Sequence, residues 1–290
     1  MTTVVGLVAW IIGLLTLPTP LAARMLLLAP LMIVPRLLAY VPRRPLGPER
    51  LAGWPALLAA LPLVVAFAEP AGPLAAVLTV PWLGLSAFFA LAALLHGLPR
   101  LPELVRPARA AELGIDTALG FLAIGAMFVF IDRLGLGLLG FSDALILLTA
   151  VHFHVAGFGL LILTSLLAAN RRWLRAAVVG LVVGIPITAA GFVLGSSALN
   201  ALGALVVGWS GIGVAVALLN GVDVPGWRRW FLRLAGAVFM IGMPMGIAYA
   251  GAIALGQHFL DLDTMVRTHG ALNGVGVTVA TLVYRNGGRT

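Results

Sequence analysis

The chain has 290 residues, of which 61% are hydrophobic and 10% charged, and its formal net charge is +8. All 18 basic residues are arginine and there is no cysteine, which excludes disulfides, thiolate metal sites, cysteine nucleophiles and lysine Schiff bases. The arginines stand in short stretches between apolar runs, so the charge speaks for orientation in a membrane and against nucleic acid as a partner.

In chain order the apolar runs fall at 4–17, 21–34, 51–69, 73–95, 113–131, 143–169, 176–195, 197–219, 230–256 and 264–284. They predict an all-α fold, a polytopic transmembrane helical bundle of nine or ten spans, forming one domain over 1–290. Residues 1–50 are expected to hold short or broken helices and 51–284 an eight-helix bundle. A 14-residue helix rises only about 21 Å against a hydrocarbon core of about 30 Å. The first two runs are therefore two thin spans, a re-entrant pair, or one helix broken at Pro18 and Pro20. The N-terminus lacks the basic start and small-residue cleavage site of a secretory signal and reads as a retained membrane segment.

From Leu51 onward every second connection is basic. Arg36, Arg43, Arg44 and Arg50 fill one connection, followed on the same side by Arg100, Arg106 and Arg109. Arg171, Arg172 and Arg175, then Arg228, Arg229 and Arg233, and finally Arg285 and Arg289 continue the series. The alternation places the C-terminus on the cytoplasmic side. Gly180-x-x-x-Gly184 and the glycines 203, 208, 211 and 213 predict close helix packing.

His152 and His154 stand near the middle of the apolar run 144–169, where an ionisable ring is expensive to keep and marks a pathway or a reaction. For a helix beginning near Asp143 they lie about 13 and 16 Å below its start. Two positions correspond to about 200° of rotation, so the rings point to nearly opposite sides, cannot chelate one metal, and at least one must bond to protein. Asp143 shares a stripe with His154, and a water-filled groove between them would satisfy both. In the last run His269 and Asn273, four apart, share a face, with Gly270 and Gly274 allowing close approach. Trp209 and Ser210 lie at mid-depth on another helix. Glu69, Asn200, His258, Asp261 and Asp263 populate the same external end as a polar vestibule, Arg267 snorkels or pairs with Asp263, and His96 and Asp116 lie apart near the inner ends.

The segments His152-Phe153-His154-Val155-Ala156-Gly157-Phe158 and Thr268-His269-Gly270-Ala271-Leu272-Asn273-Gly274-Val275-Gly276 resemble the two signatures of the YndJ-like family of bacterial integral membrane proteins, HFHYAGF-like and THGxLNAxGF-like. Val155 replaces the expected Tyr and Gly274 the expected Ala, so a hydroxyl that would assist the histidines is missing. The resemblance implies a multi-pass protein of the bacterial cytoplasmic membrane. A second, local similarity is to the haem-ligating helix of haem–copper oxidases.

The residues lead first to an integral membrane enzyme that isomerises or cyclises a lipid-soluble, isoprenoid-like substrate by acid–base chemistry. Catalytic roles fall to His154, His152, His269 and Asp143, and substrate contacts to Asn273, Trp209, Ser210, Phe153 and Phe158. No metal and no cofactor is expected; the partners are the bilayer and a hydrophobic small molecule. A proton-coupled transporter using the same histidines is the alternative, and a haem- or copper-binding redox protein the second alternative.

Overall fold

A computed structural model describes every residue except 105, 221–223, 225 and 285–290. Arg285 and Arg289, the last of the arginine series, lie outside the described residues. All regular structure among the described residues is helical, with one helix at each apolar run. The helices are α1 (Thr2–Thr16), α2 (Leu21–Tyr40), α3 (Trp54–Ala68), α4 (Pro73–Gly97), α5 (Ala110–Leu134), α6 (Asp143–Ala168), α7 (Leu174–Val193), α8 (Ser197–Leu219), α9 (Trp227–Ala254) and α10 (residues 262–283). Among the described residues seven helices are long and apolar enough to cross a membrane, while α1 and α3 have 15 residues each.

The helix ends follow from local chemistry. The Ser142 and Ser196 hydroxyls accept from the amides of Leu145 and Leu199, opening α6 and α8, and the Asp261 carboxylate accepts from Thr264, opening α10. Each side chain satisfies an amide that has no partner within its helix. Gly135, at φ 73°, ends α5 in the left-handed conformation that a side chain disfavours.

The packing forms two compact units, Met1–Ile162 and the chain from Leu163 onward, divided within α6. In the first unit α4 packs along α5 and against α3, α5 packs along α6, and α1 lies on α2 and α3. Here α2 is the interior helix, with 83% of its apolar window buried. The apolar run 21–34 stops at Pro35 and Arg36, but the helix continues to Tyr40. Pro30 and Pro35 are accommodated by a π-helical stretch, Ala29–Ile33, whose i→i+5 bonding absorbs an amide that proline cannot supply. Residues 17–20 separate two distinct helices, clasped where Trp10 donates to the Arg24 carbonyl at 2.9 Å and Arg24 donates to the Leu14 carbonyl at 3.2 Å.

In the second unit each of α7 to α10 packs on the next. The glycines perform the predicted packing role. Side chains at Gly180 and Gly184 would strike Ser210 and Val206 of α8, and at Gly208 and Gly211 would strike Ile247 and Met243 of α9. Gly213 has only ordinary contacts.

Candidate functional site

Both histidine motifs sit on π-helical turns: Phe153–Leu160 inside α6 and Val266–Gly270 inside α10. Wide turns of this kind are rare and concentrate at functional sites. They add a residue to the turn, so side chains leave the helix at angles an uninterrupted α-helix does not offer.

In the first unit the two histidines of α6 face different surroundings, as their spacing requires. His154 is wholly buried. Its Nδ1 lies 2.8 Å from the Ala150 carbonyl and its Nε2 2.9 Å from the indole Nε1 of Trp82 on α4. A carbonyl only accepts and an indole only donates, so the ring is neutral, carries its proton on Nδ1, and has both nitrogens in use. Trp82 is itself fully buried and meets the imidazole edge to edge, the ring planes 20° apart and the centroids 6.0 Å apart. Gly125 of α5 closes the third side; a Cβ there would come within 2.6 Å of Nδ1. The expected water-filled groove from Asp143 is therefore not what satisfies His154. Asp143 is exposed in the first turn of α6, and the ring's polar needs are met by a carbonyl and an indole.

His152 is exposed and donates from Nδ1 to the Leu148 carbonyl at 2.8 Å. Phe153 packs edge-on against Phe121 with centroids 5.3 Å apart, and Phe158 is completely enclosed, so both act as packing groups of the first unit.

The second unit builds its cluster from α9 and α10. His269 Nδ1 lies 2.7 Å from the Gly242 carbonyl, which fixes the proton on Nδ1 and the basic lone pair on Nε2. The Asn273 carboxamide donates to the His269 carbonyl at 2.9 Å, with its nitrogen 3.0 Å from Nδ1 of the ring. Asn273 is buried, and its Oδ1 has no hydrogen-bond partner among the described residues. The four-residue spacing thus does bring these two groups together. The glycines that permit the approach are Gly242 and Gly246 of the facing helix. A Cβ at Gly242 would come within 2.7 Å of Asn273 Oδ1, and one at Gly246 within 2.6 Å of the His269 ring. Gly270 has no close neighbour. Gly242-x-x-x-Gly246 is a small-residue spacing of the kind that marks helix contacts, and that is the signal for these two positions.

Trp209 is 63% exposed and points off the surface, so it is not an aromatic wall of this cluster. Ser210 bonds to the Val206 carbonyl at 2.8 Å and packs on Gly180. Arg267 pairs with Asp263 at 2.6 Å, both largely exposed. Asn200 reaches the Thr188 carbonyl at 3.4 Å. Hydrogen bonds from the Thr264 amide and hydroxyl hold the Asp261 carboxyl below the usual carboxylate range.

Among the described residues no three His, Asp or Glu side chains gather closely enough to hold a metal ion. With Nε2 of His154 accepting from Trp82, that imidazole does not offer a haem iron a lone pair.

Several helices long and apolar enough to cross a membrane, in an all-helical packing among the described residues, define a helical membrane protein. The chain belongs to the YndJ-like protein family, which it matches over residues 24–277. It is 27% identical over 184 residues to the uncharacterized membrane protein YndJ of Bacillus subtilis (strain 168), an overlap of 60% of this chain and 33% of that protein. The chain thus spans about a third of that relative's length. No solved structure matches it.

Proposed function

We propose that the chain is a multi-pass enzyme of the bacterial cytoplasmic membrane, with its C-terminus inside, that isomerises or cyclises a lipid-soluble, isoprenoid-like substrate by proton transfer. The supporting observation is the His269–Asn273–Gly242 arrangement, an imidazole whose tautomer is fixed by a carbonyl on a π-turn, with a carboxamide bonded to its backbone carbonyl. In this reading His269 exchanges the proton through Nε2. The Gly242 carbonyl stabilises the imidazolium, as a carboxylate or carbonyl behind a general base does elsewhere. Asn273 Oδ1 accepts a hydrogen bond from a hydroxyl of the substrate.

The chemistry narrows the substrate. A histidinium is too weak an acid for an unactivated alkene, so the proton goes to a carbon of a conjugated system. A proton is then lost from a neighbouring carbon to the imidazole, leaving no net change in oxidation. His154, whose nitrogens are both engaged, holds α6 and its π-turn in place and moves no proton in this scheme. His152, Asp143, Trp209, Ser210, Phe153 and Phe158 are not needed for the step.

The test is deuterium transfer. Lipids extracted from cells expressing the chain, incubated in D2O with the reconstituted protein, are expected to gain carbon-bound deuterium in one polyisoprenoid class. H269A and N273A should lower that gain by about 10²-fold or more. Equal labelling by wild type and H269A, or no labelling by either, overturns the reading. Proton-driven flux of a small molecule in the same vesicles would put a transporter in its place.

A further inference from the structure

At the arginine-rich end of the first unit a second polar cluster is assembled from three separate stretches of chain. Arg44, in the connection before α3, donates from Nε to Asp116 Oδ1 of α5 at 2.7 Å. The other carboxylate oxygen, Oδ2, lies 2.7 Å from Nδ1 of His96 at the end of α4. Arg44, His96 and Asp116 are 8%, 7% and 7% exposed, so a guanidinium, an imidazole and a carboxylate are buried together. Taking such charges out of water is expensive, and one carboxylate shared between two donors does not fully compensate it.

Three observations show that the compensation is incomplete. Arg44 Nη2 is buried without a hydrogen-bond partner among the described residues, and its Nη1 only grazes the Arg43 carbonyl at 3.5 Å. Beside it lies a cavity of about 280 Å³ bordered by Arg43, Arg44, His96 and Arg100, so three arginines border it and Asp116 pairs with only one of them. Among the described residues neither Arg43 nor Arg100 has an ion-pair partner, whereas the nearby Arg109 is taken by Glu112.

The backbone here is also held in an unusual shape. Leu46 adopts φ 65° and Gly47 φ 66°, with the Gly47 amide donating to the Arg44 carbonyl at 3.1 Å. A left-handed leucine persists only where its surroundings enforce it. Next to the cavity, Leu95 and Leu98 present 49% and 64% of their surface, an apolar flank beside a cationic hollow.

We propose that this hollow binds a phosphate group through Arg43, Arg44 and Arg100, with Asp116 and His96 positioning Arg44. Planar guanidinium forks match phosphate oxygens, and the buried Arg44 donor gains the partner that the protein does not give it. The volume takes a phosphorylated headgroup, while acyl chains would lie along the leucine flank. The proposal does not depend on the proton-transfer reading of His269, which belongs to the other unit.

The experiment measures equilibrium binding of dioctanoyl phosphatidic acid to the full chain in neutral detergent, with dioctanoylglycerol as the ligand lacking phosphate and inorganic phosphate as competitor. Phosphatidic acid should bind and dioctanoylglycerol should not. The R43Q/R100Q double variant alters two exposed side chains and should keep the helical spectrum and melting temperature while binding about tenfold or more weakly. R44Q should lose binding too but removes a buried ion pair, so the exposed pair carries the decision. Competition by inorganic phosphate identifies free phosphate as sufficient; binding of phosphatidic acid without such competition assigns the site to a lipid headgroup. Equal binding of dioctanoylglycerol, unchanged binding by R43Q/R100Q, or no binding of either phosphate ligand overturns the proposal.

Discussion

Replacing Trp82 by Phe isolates the bond that most defines the first unit. The substitution keeps an aromatic ring beside His154 but removes the indole N–H that lies 2.9 Å from its Nε2. The imidazole is wholly buried, so the donor it loses is replaced by nothing. Leaving a buried polar atom unsatisfied costs about 1–3 kcal/mol in soluble proteins, while hydrogen bonds between membrane helices average about 0.6 and reach about 1.7 kcal/mol. For a fully enclosed pair the upper membrane value applies, and W82F should cost about 1.5 kcal/mol plus whatever packing the smaller ring forfeits. A double-mutant cycle removes the packing part. H154F alone leaves the indole donor stranded, whereas W82F/H154F strands neither group, so the double variant should be more stable than the sum of the singles predicts. The coupling should reach about 1 kcal/mol or more in detergent-titration unfolding followed by circular dichroism. Additive losses, with coupling below about 0.5 kcal/mol, would refute the reasoning and reduce Trp82 to a space-filler.

Further expectations concern the close approaches and the exposed ends. G125A should destabilise the chain by about 1–3 kcal/mol, because its Cβ would come within 2.6 Å of His154 Nδ1, while G120A, with nothing within 4 Å, should be neutral or slightly stabilising in the same unfolding measurement. G246A should displace the His269 ring and lower deuterium transfer as strongly as H269A with little change in melting temperature. R267A breaks an exposed pair and should change stability by no more than about 0.5 kcal/mol. Because the Asp261 carboxyl is held below its ordinary range in the fold, its contribution is present above about pH 4 and is lost as pH falls through the lower, folded value. Amide exchange at Thr264, corrected for intrinsic rate, should accelerate on acidification in wild type and show no such step in D261N.

What was legible in the sequence followed from periods and runs. Apolar stretches of the length of a bilayer mark the long helices, about 100° per residue separates His152 from His154, and a four-residue step joins His269 to Asn273. Each is a property of one helix, so one segment is enough to derive it. The partners were not legible, because which helix lies against which, and at what height, is a relation between segments. Trp82 stands 72 positions before His154, and Gly242 stands 27 before His269. Only general signals point to them: a buried indole needs an acceptor, and two glycines four apart invite a neighbour.

The arginines show the same limit from the other side. Arg43, Arg44, Arg50 and their like satisfy the charge asymmetry of membrane loops, and as a pattern that explanation is complete, so nothing in the sequence asks for another. Yet orientation requires only that the charges lie on one side. It does not require that Arg44 leave water, and Arg44 has done so, at 8% exposure, to meet an aspartate 72 residues away. Arg43 beside it stays exposed, as an orienting charge should. The difference between the two neighbours is therefore the part that the loop rule does not cover, and a buried guanidinium with a donor to spare is what a phosphate-binding hollow requires.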